Sequence, residues 1–216
     1  MASVRKAAQC IGLSGETKIV RDLFGYITGA PKTLSLLTQV RLLQVKHIHL
    51  NLIRTAALPS TSLKTIDAGL QFMRDVYGTV GIGVGRILRF HVPQGGYEIV
   101  VDDDIATDLF DSWSVSNDGI DVFLCLSIVG PSIGKTPIPG SCDKDGKDSG
   151  SLIGVLDSGS VIGTTFAHEV GHYLGLEHDG NPANLMFPSA PNGGQLTGGQ
   201  GGAMKTHCFM RNSCTL

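Results

Sequence analysis

The chain has no apolar run long enough to cross a membrane. Its longest, such as "DVFLCLSIVG", spans ten residues, about half a membrane crossing, so no membrane span is expected. There is no excess of basic charge either. The 17 Lys and Arg stand against 19 Asp and Glu, a formal net charge of −2, and nucleic acid or an anionic membrane is therefore not expected as a partner. The five cysteines, at positions 10, 125, 142, 208 and 214, form no CxxC pair, which argues against a structural zinc knuckle. No internal period is found, which argues against a repeat array. The amino-terminal "MASVRKAAQC" lacks the apolar core of a secretory signal. The compartment must therefore be inferred from function.

What remains is an ordinary globular mixture. At 216 residues with 42% hydrophobic and 17% charged residues, the chain fits one domain with a sizeable core. Glycine clusters late, in "NGGQLTGGQGG", and suggests loops. Cys142, Cys208 and Cys214 sit in loop-like or terminal contexts where disulfides are common, whereas Cys125 alternates within an apolar strand and reads as a buried thiol.

Residues 1–40 carry mixed signals, with a short helix expected around 18–27 and "TGAPKT" as a breaker. "QVKHIHLNLIRTA" (44–56) alternates and predicts a strand. "STSLKTIDAGLQFMRDVYGTVG" opens on Ser/Thr cap candidates and carries Leu63, Ile66, Leu70 and Met73 at helical spacing; Gly78 or Gly81 would stop the helix. "GRILRFHVPQ" predicts a second strand, and a short helix is expected through "IATDLFDSW". "GIDVFLCLSIVG" (119–130) reads as a strand covered on both faces. The loop "PSIGKTPIPGSCDKDGKDSGS" is long enough to be functional. After it come the short apolar "LIGVLDS", a second long helix in "SVIGTTFAHEVGHYLGL", and a third within "QLTGGQGGAMKTHCFMRN". This order predicts an α/β (α+β) sandwich of helices against a mixed sheet.

The chemistry concentrates in "TTFAHEVGHYLGLEHDG" (164–180). His168, Glu169, His172, Gly175 and His178 obey H-E-x-x-H-x-x-G-x-x-H. Five fixed positions should coincide by chance in roughly one such sequence in 10⁴–10⁵. Residues four apart on an α-helix are separated by about 400°, so His168 and His172 project from one face, one turn apart. Gly175 can take a positive φ, end the helix and let the chain return His178 as a third ligand. Three protein ligands leave the fourth position of a zinc ion for water, the catalytic arrangement. Glu169, beside the first ligand, can act as general base on that water and then pass the proton to a leaving amine. Together these parts describe hydrolysis of a peptide or similar amide.

"HEVGHYLGLEH" resembles the extended zinc motif of the metzincin metallopeptidases. In that family a methionine-containing turn lies beneath the zinc, and "NPANLMFPSAP" follows at a suitable distance, with Met186 eight residues after His178. "LMFP" resembles the matrixin turn, whereas Asp179 resembles the reprolysin-like branch. The resemblance implies a mostly parallel twisted sheet with an active-site helix, Met-turn and C-terminal helix. It makes 41–216 a catalytic domain and 1–40 an N-terminal extension, either a pro-segment or a packing element. It also implies one catalytic Zn2+ and a secreted endopeptidase acting on extended polypeptides. Met186 would be a hydrophobic floor under the ligands. "LIGVLDS" would form the upper edge of the cleft, and Phe187, Pro188 and Ala190 would help wall the specificity pocket. Alternatives are a zinc amidase acting on a cell-wall or other non-protein amide, and a non-catalytic module that keeps the fold.

Weaker signals lie elsewhere. His47 and His49 face one side of their strand and His91 lies on the next; they read as ordinary strand histidines rather than a second metal site. Asp143, Asp145 and Asp148 in "CDKDGKD" suggest an oxygen-rich Ca2+ loop but lack the closing glutamate of an EF-hand. The Asp102–Asp104 run reads as a solvated turn. Cys10 raises a latency switch, in which an upstream thiolate takes the fourth zinc position, yet "AQCIGLSG" lacks the matrixin pattern.

Overall fold

The computed structural model describes residues 20–21, 45–144, 146 and 148–213. Its centre is a six-stranded sheet built on β2 (Lys46–Arg54), β3 (Ile82–His91), β5 (Gly119–Cys125) and β8 (Gly150–Gly154), which run parallel. Two short antiparallel strands close it: β1 (Val20–Arg21) against β3 and β7 (Gly134–Lys135) against β8, in the order β1-β3-β2-β5-β8-β7. The helices are α1 (Ser60–Thr79), α2 (Asp103–Trp113), the single turn α3 (Val155–Ser158), α4 (Ile162–Tyr173) and α5 (Gly198–Met204). A small parallel pair, β4 (Ile99–Val100) with β6 (Ser127–Ile128), stands apart. The mixed α/β class, with its mostly parallel sheet, is the one the sequence predicts.

Parallel strands carry helices on both faces, so their side chains are buried in both directions. On one face Ile48, Leu50, Leu52, Ile120, Val122 and Leu124 pack against α1 and α4. On the other Ile53, Phe123, Cys125 and Leu152 pack with Leu109 and Phe110 of α2. Cys125 is the buried free thiol expected of it, and burial pushes it up to about 12. Helices α1 and α4 cross where two glycines meet. A Cβ on Gly69 would lie 3.0 Å from the Cα of Gly163, so neither position tolerates a side chain without parting the helices. The Tyr77 hydroxyl donates to the Ala167 carbonyl at 2.8 Å and fixes their register.

Several elements depart from expectation. Val20–Arg21 is strand, and the rest of the span 18–27, where a helix is expected, lies outside the described residues. Helix α1 has Pro59 as N-cap with no side-chain cap, and the Ser/Thr run lies inside its first turn. The acidic run is not a solvated turn: Asp102 caps α2 by accepting from the Ile105 N–H at 2.9 Å, and Asp103 and Asp104 form its first turn, where carboxylates oppose the helix dipole. The apolar run 119–130 is two strands, because at Leu126 the backbone turns to pair with Glu98 and the chain leaves the main sheet for the small one. Most consequential, "LIGVLDS", expected as the upper edge of the cleft, is not an edge strand. Its first residues lie in β8, between β5 and β7, and Val155–Ser158 is helical; the terminal strand is β7.

Candidate active site

Helix α4 carries His168, Glu169 and His172 on a buried stretch running from Thr165 to Tyr173. It ends in a Schellman motif. Gly175 takes φ 94°, its N–H bonds the His172 carbonyl at 2.9 Å, and the Leu176 N–H reaches back to Gly171 at 3.0 Å. This is the reversal anticipated for Gly175, and it returns His178 to the helix. The nitrogens of His168, His172 and His178 lie within 4.8 Å of one another, with His172 Nε2 and His178 Nε2 3.2 Å apart.

Two carbonyls decide how the first two rings are presented. His168 Nδ1 lies 2.8 Å from the Leu185 oxygen and His172 Nδ1 2.6 Å from the Leu176 oxygen. A carbonyl can only accept, so these two contacts favour the tautomer in which Nδ1 carries the proton and Nε2 offers a lone pair. Burial pushes both rings toward the neutral form, His172 down to about 4. Asn192 Nδ2 donates to the same Leu185 carbonyl at 2.5 Å and sits 3.0 Å from His168 Nδ1. At 3.2 Å the His172 and His178 Nε2 atoms are close enough to share either a proton or a cation. Tetrahedral zinc with nitrogen ligands at 2.0–2.1 Å would hold them about 3.3 Å apart. The three-imidazole donor set and the spacing of this pair therefore fit a zinc ion.

Met186, fully buried, packs on the same helix: a Cβ on Gly171 would lie 2.8 Å from its sulfur. The Asp179 N–H bonds the Met186 carbonyl at 2.9 Å, which ties the His178 segment to the turn at Asn184–Phe187. Glu169 is 6% exposed, and burial pushes its carboxyl up to about 7 against a smaller opposing pull from the Thr136 hydroxyl, which donates to Oε2 at 2.6 Å. Sequence reasoning missed Thr136, Gly134, Asn192 and the Leu185 and Leu176 carbonyls. Each belongs to a loop or a two-residue strand with no periodicity to detect.

Among the described residues a second grouping of ligand-type side chains is Cys142, His207 and Cys208. Cys142 and Cys208 are joined in a disulfide, so they lack the thiolates a metal would require. A cavity of about 380 Å³ bordered by Asp118, Lys144 and this disulfide contains none of the three clustered histidines. Cys10, Asp145 and Cys214 lie outside the described residues. His49 serves the sheet: where β3 bulges between Val84 and Ile87, its Nδ1 accepts the Arg86 N–H at 3.0 Å.

Fold and site together give a mixed α/β architecture, its sheet mostly parallel, with a group of three converging histidines. No protein-family model matches the chain. Over 56 residues it is 41% identical to "A disintegrin and metalloproteinase with thrombospondin motifs 13" of Homo sapiens, a stretch covering 26% of this chain and 4% of that protein. Its structure is similar to that of metalloproteinase-II from Bacteroides fragilis, with a TM-score of 0.54, 16% identity, and coverage of 92% of this chain and 59% of that one. At that identity the likeness is one of fold.

Proposed function

We propose that the chain is a zinc-dependent endopeptidase of metzincin type. His168, His172 and His178 are the ligands, Glu169 the general base and then acid, and Met186 the methionine of the turn beneath the metal. The observation that carries this reading is the convergence of three imidazole nitrogens, two of them oriented by backbone carbonyls, on the helix that carries a buried carboxylate. When bound, zinc supplies Lewis-acid polarisation of the scissile carbonyl and a lowered pKa for water. Glu169 takes the proton of the attacking water at its carboxylate and delivers it to the departing amide nitrogen, so the C–N bond breaks to an amine and a carboxylic acid. The substrate is an extended polypeptide lying along β7, with Phe187, Pro188 and Ala190 walling the pocket for a hydrophobic side chain after the scissile bond. Residues 41–216 are the catalytic domain and 1–40 an extension. The Cys142–Cys208 disulfide supports an extracellular setting.

The test is a peptide-library cleavage profile of the zinc-loaded protein, with and without chelator, run beside a cell-wall substrate. Chelator-sensitive peptide cleavage is expected. Hydrolysis of the cell-wall amide alone would make the protein an amidase, and zinc binding without hydrolysis of either would make it a binding module.

A further inference from the structure

Strand β7 and the residue that follows it meet Glu169: Gly134 within the strand and Thr136 just past its end. Both residues touch the Glu169 side chain, Gly134 from below its carboxylate and Thr136 through its hydroxyl. A Cβ on Gly134 would stand 2.6 Å from Cδ and 2.7 Å from Cγ of Glu169. The Thr136 hydroxyl donates to Glu169 Oε2 at 2.6 Å. The carboxylate therefore rests on a bare stretch of backbone, with one oxygen tethered and Oε1 left over Gly134. The strand itself is held from several directions. It pairs with β8 through Gly134 and Lys135, the Gly154 N–H bonds the Ile133 carbonyl at 3.0 Å, and Lys135 pairs with Asp103 of α2. Thr136 is half-buried, so replacing its hydroxyl by a methyl opens no core cavity.

We propose that Thr136 is a positioning residue for Glu169, and that Gly134 is bare because any side chain there would take the seat of the carboxylate. The hydroxyl commits Oε2 and leaves Oε1 as the atom that handles the proton. Edge strand and catalytic base thus form one unit. This rests on the reading of Glu169 as general base.

The test uses the zinc-loaded full chain and three variants. Thr136→Val keeps the shape and loses the donor; kcat should fall about 10–100-fold, by analogy with removing a group that orients a metal ligand, with KM and bound zinc unchanged. Thr136→Ser keeps the donor and should return kcat to near wild type. Gly134→Ala should lower kcat at least as far as Thr136→Val. Unchanged kcat in Thr136→Val, failure of serine to rescue, or a loss that tracks zinc content would overturn the proposal. Should the wild type cleave no peptide, the reading of Glu169 as base fails separately, and crystal structures then decide the positioning role. A carboxylate turned away from β7 in Thr136→Val upholds it, and an unmoved carboxylate refutes it.

Discussion

His168 and His172 on α4 and His47 and His49 on β2 are both pairs of buried imidazoles, with ring centroids 4.5 Å and 5.0 Å apart. Their surroundings differ. On the helix, both Nδ1 atoms face carbonyls and His172 Nε2 meets His178. On the strand, His49 spends its Nδ1 on the Arg86 N–H and its Nε2 faces Asp118 at 4.0 Å. Burial and then the Arg86 guanidinium push His49 down to about 3, with Arg211 adding to the effect. The Arg86 and Arg211 guanidiniums beside the strand pair, only partly offset by the Asp118 carboxylate between them, would repel a metal ion. Two buried neutral rings are therefore not enough for a metal site; their lone pairs must converge in a field free of cations.

Metal content should separate the two pairs most sharply. His172→Ala should abolish stoichiometric zinc binding, measured by elemental analysis after gel filtration, whereas His47→Ala should keep one zinc per chain. Equal loss in both would erase the distinction. Next in size is Glu169→Gln, which should keep the zinc and lower kcat by about 10²–10⁴-fold, the range for a general base. Full activity in that variant would remove Glu169 from the chemistry.

A smaller effect is expected from Asn192→Ala. Losing the amide that shares the Leu185 carbonyl with His168 should weaken zinc affinity about 10–100-fold, read by competition with a chelating dye. No change would mean that Leu185 alone orients the ring.

The smallest effect is on stability and comes from the strand pair. The unfolded chain protonates His49 near its ordinary value of 6.5, but the folded protein does so only near 3. The folded state therefore binds fewer protons in between, and this contribution is fully present above pH 6.5 and lost as pH falls toward 3. Its slope is at most about 1.4 kcal/mol per pH unit. Urea midpoints at pH 7.5 and pH 5 should differ less in His49→Asn than in the wild type; an equal difference would dismiss His49 as the source.

The periodicity of Leu63, Ile66, Leu70 and Met73 foretold α1 because one buried face of a helix is written locally. Its start was misjudged, since Pro59 rather than a Ser/Thr side chain caps it. The strand at the edge of the cleft was misassigned for a deeper reason. Strand order is not local, and two residues of β7 carry no alternation that could outweigh the apolar "LIGV" beside them.

By itself the sequence determined the spacing that brings three histidines together. A helical turn sets His168 over His172, and a left-handed glycine sends the chain back to His178. Only the tertiary structure decided which carbonyls orient those rings and which strand lies at the edge. It also decided that Thr136 and Gly134 would meet Glu169 across 33 and 35 positions of sequence. The first kind of contact is fixed by backbone geometry within one turn. The second exists only once β7 has docked beside β8.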